Sequence, residues 1–350
     1  MTLIGLVNLY SATLGQEIFF SQLRHTVIGA IFLMLVAFAI PIGFFNHKAY
    51  SIFAFVLCML FLVIFIGDDA GGSQRWIKIA GFRWQPSEFA KMSVALLVAR
   101  YIYLHQNVRP YTLKNLLPLL AILGLLFFAI FIQPDLGTAG ACLIIATCQI
   151  AFLRLDIKSL SIASIIGLVT VINIWIFGLR PYQKLRVLNL FNPDHDPTGS
   201  GYNALQSLIT IGSGGLWGKG YLQGTQTHLK FLPARHTDFI FSVFAEEHGF
   251  LSSLLFLILI AAYIYIALEI ARYAKNVFSM LAAIGVAGIL FSETLINIAM
   301  VLGAFPVVGI PLPFFSYGGS SLLLIAGCTG ILIAVDRESK GKRAFFNVIK

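Results

Sequence analysis

Continuous apolar runs near 26–45, 50–66, 116–133, 138–153, 159–179, 249–269, 279–303 and 314–335 dominate this chain. About 20 apolar residues is the length at which a helix crosses a bilayer. A more mixed run covers 88–104, and the N-terminal MTLIGLVNLYSAT is too short to span in full. Counted as a partial span, it brings the total to about ten. The runs are unbroken rather than alternating, which argues against a barrel, and a helix satisfies its own backbone in lipid. The chain therefore reads as an all-α polytopic membrane protein of about ten helices with a first helix cut short. That first run lacks the basic flank and cleavage site of a signal peptide.

Hydrophobic residues make up 58% of the chain and charged residues 11%, against roughly 45–50% and 25% in a soluble domain. So large an excess cannot all be core, so lipid is the solvent. The net charge of +9 then bears on topology rather than on nucleic acid. Lys48, Arg109, Lys114, Arg154, Lys158, Arg272, Lys275 and the basic C-terminal tail fall on one side. The other side's cations sit almost entirely in two long loops, 67–87 and 180–237, where charge says little about orientation. Short loops decide, so the first side and the C-terminus are expected in the cytoplasm. Nothing divides residues 1–350 into separate domains. The loop 180–237 holds Tyr202, Trp217, Tyr221, Phe231 and many glycines, which suits ordered chain packed over the outer face. Cys58, Cys142, Cys148 and Cys328 all fall in expected spans without metal-ligand spacing, and read as small buried apolar residues.

Several constellations stand out against this background. GSGGLWGKG, 212–220, looks like a phosphate-binding loop but has Ser213 and Gly220 where that motif needs Gly and Ser or Thr. Its glycines suit either tight turns near another backbone or contact with a lipid headgroup. In RWIKIAGFRWQPSEFAK, 75–91, Trp76 and Trp84 suit the membrane interface, and Pro86 with Ser87 suits a helix start. Glu88 and Lys91 are one turn apart on the span that follows. They read either as a self-neutralising pair or as a substrate site, with the loop cations Arg75, Lys78 and Arg83 just before them. Asp135 in QPDLGTA reads as a helix cap. Glu293 and Asn297, one turn apart in a late span, read as structural or as site residues.

The stretch ARHTDFIFSVFAEEHGF, 234–250, crowds Arg235, His236, Asp238, Glu246, Glu247 and His248 together. Pro233 breaks the loop and Thr237 is expected to cap a helix whose first turn holds Asp238. Such an acid either serves the helix dipole or faces a cavity between helices at the outer boundary. Glu246 and Glu247 lie about two turns deeper, near a break before Gly249, where they pair with basic groups or act directly.

FLPARHTDFIFSVFAEEHGF, QPSEFAK, QPDLGTA, YQKLRVLNLFNPDHDPTGSGYN, IGSGGLWGKGYLQGTQ and VVGIPLPFFSYGGSS resemble the motifs of the shape, elongation, division and sporulation (SEDS) family. These are bacterial polytopic membrane glycosyltransferases. The motifs run in order along nearly the whole chain, and GTQTHLKFLPARHTDFIF is more similar to the rod-shape branch than to the division branch. The resemblance implies about ten spans and polymerisation of lipid II into glycan strands outside the cytoplasmic membrane. It also implies partnership with a class B penicillin-binding protein and other elongation-complex membrane proteins. It carries the family's essential acid onto Asp238 and its membrane-embedded Glu and Lys onto Glu88 and Lys91.

The chemistry of such a reaction asks for one base. A diphosphate is a weakly basic leaving group and needs no general acid, unlike the alkoxide that a glycosidase expels. Asp238 is then expected to take the proton from the acceptor sugar's 4-hydroxyl. Arg75, Lys78, Lys91, Arg186, Lys219 and Arg235, with His236, are the groups available to a departing diphosphate. Asp135, Thr237, Glu246, Glu247, Glu293 and Asn297 are expected to support them. The reaction also admits a magnesium or manganese ion held by oxygens and substrate, since no His/Cys ligand cluster is present. A lipid II flippase is the rival reading, although flipping needs neither a base at the outer lip nor a large ordered loop. A non-catalytic scaffold leaves Glu88, Lys91 and Asp238 unexplained as a group.

Overall fold

Proline and Asx residues set where many of the helices begin. The computed structural model describes residues 1–70, 73–79, 82–108, 110–190, 199–229, 231–232 and 234–348. Arg109, Lys230, Pro233, Lys350 and the FNPDHDPT part of the 182–203 motif lie outside them. The chain runs through α1 (Thr2–Thr13), α2 (Glu17–Met34), α3 (Ile42–Ile66), β1 (Asp68–Ala70), β2 (Ser73–Ile79), β3 (Phe82–Trp84) and α4 (Pro86–Leu104). It continues through α5 (Leu113–Ile132), α6 (Leu136–Ala151), α7 (Ile157–Asn173), α8 (Pro181–Leu188), α9 (Ser200–Ser213) and α10 (Thr225–His228). It ends with α11 (Ile240–Arg272), α12 (Val277–Val301) and α13 (Gly319–Val348). π-Helical turns extend α2 to Ala39 and α7 to Gly178.

Pro86 and Pro181 open α4 and α8, where a missing N–H costs nothing. Asp135, Asp156 and Asn276 cap α6, α7 and α12 by accepting from Thr138, Ser159 and Ser279 N–H groups. Pro41 immediately precedes α3. The apolar run expected over 26–45 is therefore cut at Ile40–Pro41, and Lys48 lies inside α3 rather than in a loop.

Among the described residues, seven helices are long and apolar enough to cross a membrane, with their spans at Glu17–Ala39, Ile42–Ile66, Leu113–Ile132, Ile157–Gly178, Ile240–Arg272, Val277–Val301 and Gly319–Lys340. α1 and α6 are shorter apolar helices, and α4 carries Glu88, Lys91 and Arg100. α4 and α12 are buried along most of their length, whereas α7 has no buried residue. Small residues permit that central packing: a methyl at Gly285 on α12 would stand 2.6 Å from the Ala95 Cβ on α4. Outward faces carry Phe65, Ile157 and Phe177, as lipid contact requires. Cys142 and Cys328 are buried, but Cys148 is only half-buried and Cys58 is exposed on α3, so the expectation of four buried cysteines holds for two of them.

The membrane part is helical as expected, but the chain is not wholly so. β1, β2 and β3 form an antiparallel sheet in that order, with Ile77 opposite Trp84 and Lys78 opposite Arg83. The aromatic and β-branched residues of RWIKI suit a strand better than a loop. The Ser320 hydroxyl ties α13 to β3 and to the start of α4, donating to Arg83 O at 3.4 Å and receiving the Gln85 N–H at 3.0 Å.

α11 starts at Ile240, slightly after the start expected at Thr237, runs on through the apolar span at 249–269 and bends at Gly249, where φ is 74°. Residues 214–220 take over the broken backbone bonds. Phe250 N donates to Gly215 O at 2.9 Å, Lys219 N to Glu246 O at 3.0 Å and Gly220 N to Glu247 O at 2.9 Å. Gly218, at φ 82°, lies so close that a methyl there would stand 2.2 Å from Glu247 O. The glycines of GSGGLWGKG thus serve backbone contact with a bent helix.

Candidate functional site

Asp238 sits in a turn, not in a helix. Ala234, at φ 50°, starts a tight reversal in which Thr237 N and Phe239 N both donate to Ala234 O, at 3.0 and 3.4 Å. The Thr237 hydroxyl donates to the same carbonyl at 3.2 Å. Thr237 is therefore not the expected helix cap, and Asp238 is not in the first turn. α11 begins at Ile240 behind Phe239 and has no acid in its first turn.

The turn is held by the segment between α12 and α13. Asn297 Nδ2 donates to Asp238 O at 3.0 Å, Ser316 Oγ to Thr237 O at 2.8 Å and Tyr317 N to His236 O at 2.9 Å. The Asp238 carboxylate rests against Gly309, where a methyl would stand 3.6 Å from Oδ2. Burial pushes Asp238 up to about 6, and the Arg186 guanidinium opposes that shift. Arg186 is itself placed by a 2.9 Å bond to Val307 O on the same segment. Burial first, then Arg235, hold the His236 imidazole below its ordinary value, so it is neutral at pH 7.

A second centre lies deeper. Lys91 Nζ is 2.9 Å from Glu88 Oε1 and 2.5 Å from Glu293 Oε1. Lys91 and Glu293 have no exposure and Glu88 has 4%, so all three are withdrawn from solvent. One oxygen of each glutamate, Oε2, is buried without a hydrogen-bond partner. Glu293 and Asn297 are on one face of α12, about 6 Å apart along its axis, so one helix serves both centres.

The remaining expected residues divide between two further clusters. Asp135 caps α6 and also receives the Ser87 hydroxyl at 3.1 Å and the Thr138 hydroxyl at 2.9 Å. Arg75 stands 3.6 Å from that carboxylate and donates from Nε to Gln133 O at 3.0 Å. Lys219 Nζ binds Glu246 Oε1 at 2.7 Å and Thr225 Oγ1 at 2.7 Å, so it secures the loop to α11. Glu247 receives the Ser11 hydroxyl from α1. Lys78 is exposed on β2. Of the expected cations, Arg186 bears on the charge of Asp238, while Lys91, Lys219 and Arg75 are engaged with acids of their own.

Sequence reasoning missed Gly309 and Ser316, which shape the Asp238 turn, and Ser11, which meets Glu247. A signal existed for the first two: VVGIPLPFFSYGGSS packs glycines, prolines and serines between apolar spans, where irregular backbone is tolerated only against protein or a cavity.

These features define a polytopic helical membrane protein with a carboxylate set at one end of its bundle and a buried acid–lysine network beneath. The chain belongs to the FtsW/RodA/SpoVE family, described as "Cell cycle protein", whose profile matches residues 1–341. It is 39% identical over 296 residues to peptidoglycan glycosyltransferase MrdB of Escherichia coli K12, covering 84% of this chain and 80% of that protein. It is 33% identical over 355 residues to stage V sporulation protein E of Bacillus subtilis, covering 96% and 94%. Among solved structures, a chain from a peptidoglycan synthase complex that coordinates polymerisation and crosslinking superposes with TM-score 0.81 at 27% identity, over 97% of this chain and 95% of that one. The rod shape determining protein RodA of Thermus thermophilus superposes with TM-score 0.70 at 28% identity, over 97% and 93%.

Proposed function

We propose that this protein is a peptidoglycan glycosyltransferase that polymerises lipid II into glycan strands on the outer face of the bacterial cytoplasmic membrane, for elongation and rod shape. The observation that carries the reading is Asp238, a carboxylate fixed in a rigid turn against Gly309 with Arg186 acting on its charge. A general base works best with a pKa near the operating pH, and about 6 meets that condition. Asp238 takes the proton from the acceptor sugar's 4-hydroxyl while the donor's diphosphate departs. Arg186, with Arg235 on the same turn, supplies positive charge near the leaving group, and protonation of the diphosphate is not required.

The buried Lys91, Glu88 and Glu293 network lies beneath, where it holds α4 to α12 and keeps a polar interior under the reacting groups. Among the described residues no three His, Cys, Asp or Glu side chains converge to hold a metal. A magnesium or manganese ion that takes part in the reaction would be carried in on the diphosphate. Counting α1, α4 and α6 with the seven apolar helices gives the proposed ten spans, and the short-loop cations favour a cytoplasmic C-terminus. α8–α10 and the sheet then cover the outer face. A class B penicillin-binding protein is the proposed crosslinking partner, within a larger set of elongation-complex membrane proteins. The likeness to a chain of a polymerising and crosslinking complex supports that partnership.

The test is polymerisation of labelled lipid II by the purified protein in detergent, where there is no bilayer to flip across. Asp238→Asn is expected to elute as folded protein and to lose at least about 100-fold in rate, the usual contribution of a general base. Wild-type rate in that variant overturns the assignment.

A further inference from the structure

We propose that Asn297 is a positioning residue for Asp238, clamping the turn that carries the acid to the loop that lies against its carboxylate. The proposal rests on the reading of Asp238 as the base. Asn297 is wholly buried. Its Nδ2 donates to Asp238 O at 3.0 Å and to Ile310 O at 2.8 Å. Both partners are carbonyls, which only accept, so the network requires the amide nitrogen to face them.

The two acceptors belong to different segments, and both bear on the same carboxylate. One is the backbone of the acid itself. The other is the residue after Gly309, where an added methyl would stand 3.6 Å from Asp238 Oδ2. A single side chain therefore sets the acid's main chain and the surface its carboxylate rests on. Ser316 reinforces this link, receiving Leu312 N at 2.8 Å while donating to Thr237 O. Packing alone does not account for an amide here, because Asn297 Oδ1 is buried without a partner and a buried unpaired acceptor costs stability. An apolar side chain of similar size avoids that cost but cannot hold the two carbonyls. The position is also rigid, since Glu293 one turn away is fixed to Lys91 at 2.5 Å. Orientation is worth this much because a reacting group displaced by about 1 Å loses on the order of 100-fold in rate.

Gln149 provides a matched control. It too is wholly buried, its Nε2 donates to Ala95 O at 2.8 Å and Leu281 O at 2.9 Å, and its Oε1 lacks a partner. It ties α6 to α4 and α12 and makes no contact with the Asp238 turn. The experiment compares Asn297→Leu, Gln149→Leu and Asp238→Asn in the full-length protein. Thermal midpoint, kcat and KM for lipid II polymerisation, and the pH profile are read for each.

Both leucine variants are expected to lose similar thermal stability. Asn297→Leu alone should lose about 30–100-fold in kcat with KM changed less than about threefold, as misplacement of a base predicts. Its acid limb should also move to lower pH, because a released turn hydrates the half-buried Asp238 further. An Asn297→Leu protein with the kcat and pH profile of Gln149→Leu overturns the proposal. Should Asn297→Leu fail to fold, Asn297→Ser, which keeps one donor, is read in the same way, and wild-type kcat and profile there overturn it. An active Asp238→Asn removes the base assignment, whereas an inactive one beside an inert Asn297 change removes only the clamp.

Discussion

Lys91 Nζ and Glu293 Oε1 lie 2.5 Å apart across the α4–α12 interface, although 202 positions separate the residues in the chain. Glu88 completes the group from one turn away on α4. Buried ions are tolerated only when paired, and removing one partner of such a pair costs about 3–5 kcal/mol. Lys91→Met leaves two buried carboxylates without their ammonium, so it should lower the thermal midpoint sharply and reduce the yield of monodisperse protein in detergent. Glu293→Gln keeps an acceptor for Lys91 and should fold with a much smaller loss. Equal stability of Lys91→Met and wild type would show that the network does not hold the helices together.

The pH dependence of polymerisation follows from Asp238. A base must be ionised to work, and burial places this carboxyl at about 6. Activity should therefore fall as pH drops through about 6 and level off above it. Arg186 favours the ionised form, so Arg186→Gln should move the midpoint upward and cost more rate at pH 6 than at pH 8. A profile whose acid limb ignores Arg186 contradicts this account.

Loop docking onto α11 depends on two glycines. Gly218 and Gly249 have φ of 82° and 74°, and a methyl at either would stand 2.2 or 2.3 Å from backbone of the other segment. Gly218→Ala and Gly249→Ala combine a steric clash with a left-handed conformation that alanine resists. Each should lower the thermal midpoint strongly. Gly212 lies in α9 with open space around its Cα, and Gly212→Ala should be neutral or stabilise by up to about 1 kcal/mol. Differential scanning fluorimetry of the three variants separates these outcomes.

Lys219 links the same loop to Glu246, whose side chain is fully buried while that of Lys219 is 26% exposed. Glu246 retains the Gln226 N–H at 2.9 Å when the lysine is removed. Lys219→Met should therefore cost less than Glu246→Leu, which strips partners from Lys219, Thr225 and Gln226 together. Protection of Gly218–Gly220 amides from hydrogen exchange reports the loss of docking directly.

Local chemistry accounts for what the sequence by itself determined. Unbroken apolar runs specify helices in lipid because their length matches the hydrocarbon core and every backbone group is satisfied within the run. Pro86 marks a helix start through its fixed φ and missing N–H, and Asp135 marks one through a bond to Thr138 three residues on. Glu88 with Lys91 was legible because the helix repeat brings residues three apart together, and Asp238 stood out as an acid at the lip of an apolar run. The cut at Pro41 and the strands over 68–84 were missed because apolar content alone does not separate one helix from two, or loop from strand.

Only the tertiary structure decided the partners. Glu293 reaches Lys91, Asn297 reaches Asp238, Lys219 reaches Glu246 and Ser11 reaches Glu247 because helix packing and a bent α11 bring distant segments within hydrogen-bond distance. Periodicity gives the face on which a side chain lies, but not which helix packs against that face. The start of α11 changed for the same reason. Thr237 and Asp238 have the sequence of a helix start, yet bonds from Asn297, Ser316 and Tyr317 hold their segment as a turn. Local preference is worth about 1 kcal/mol at a cap, and several tertiary bonds outweigh it.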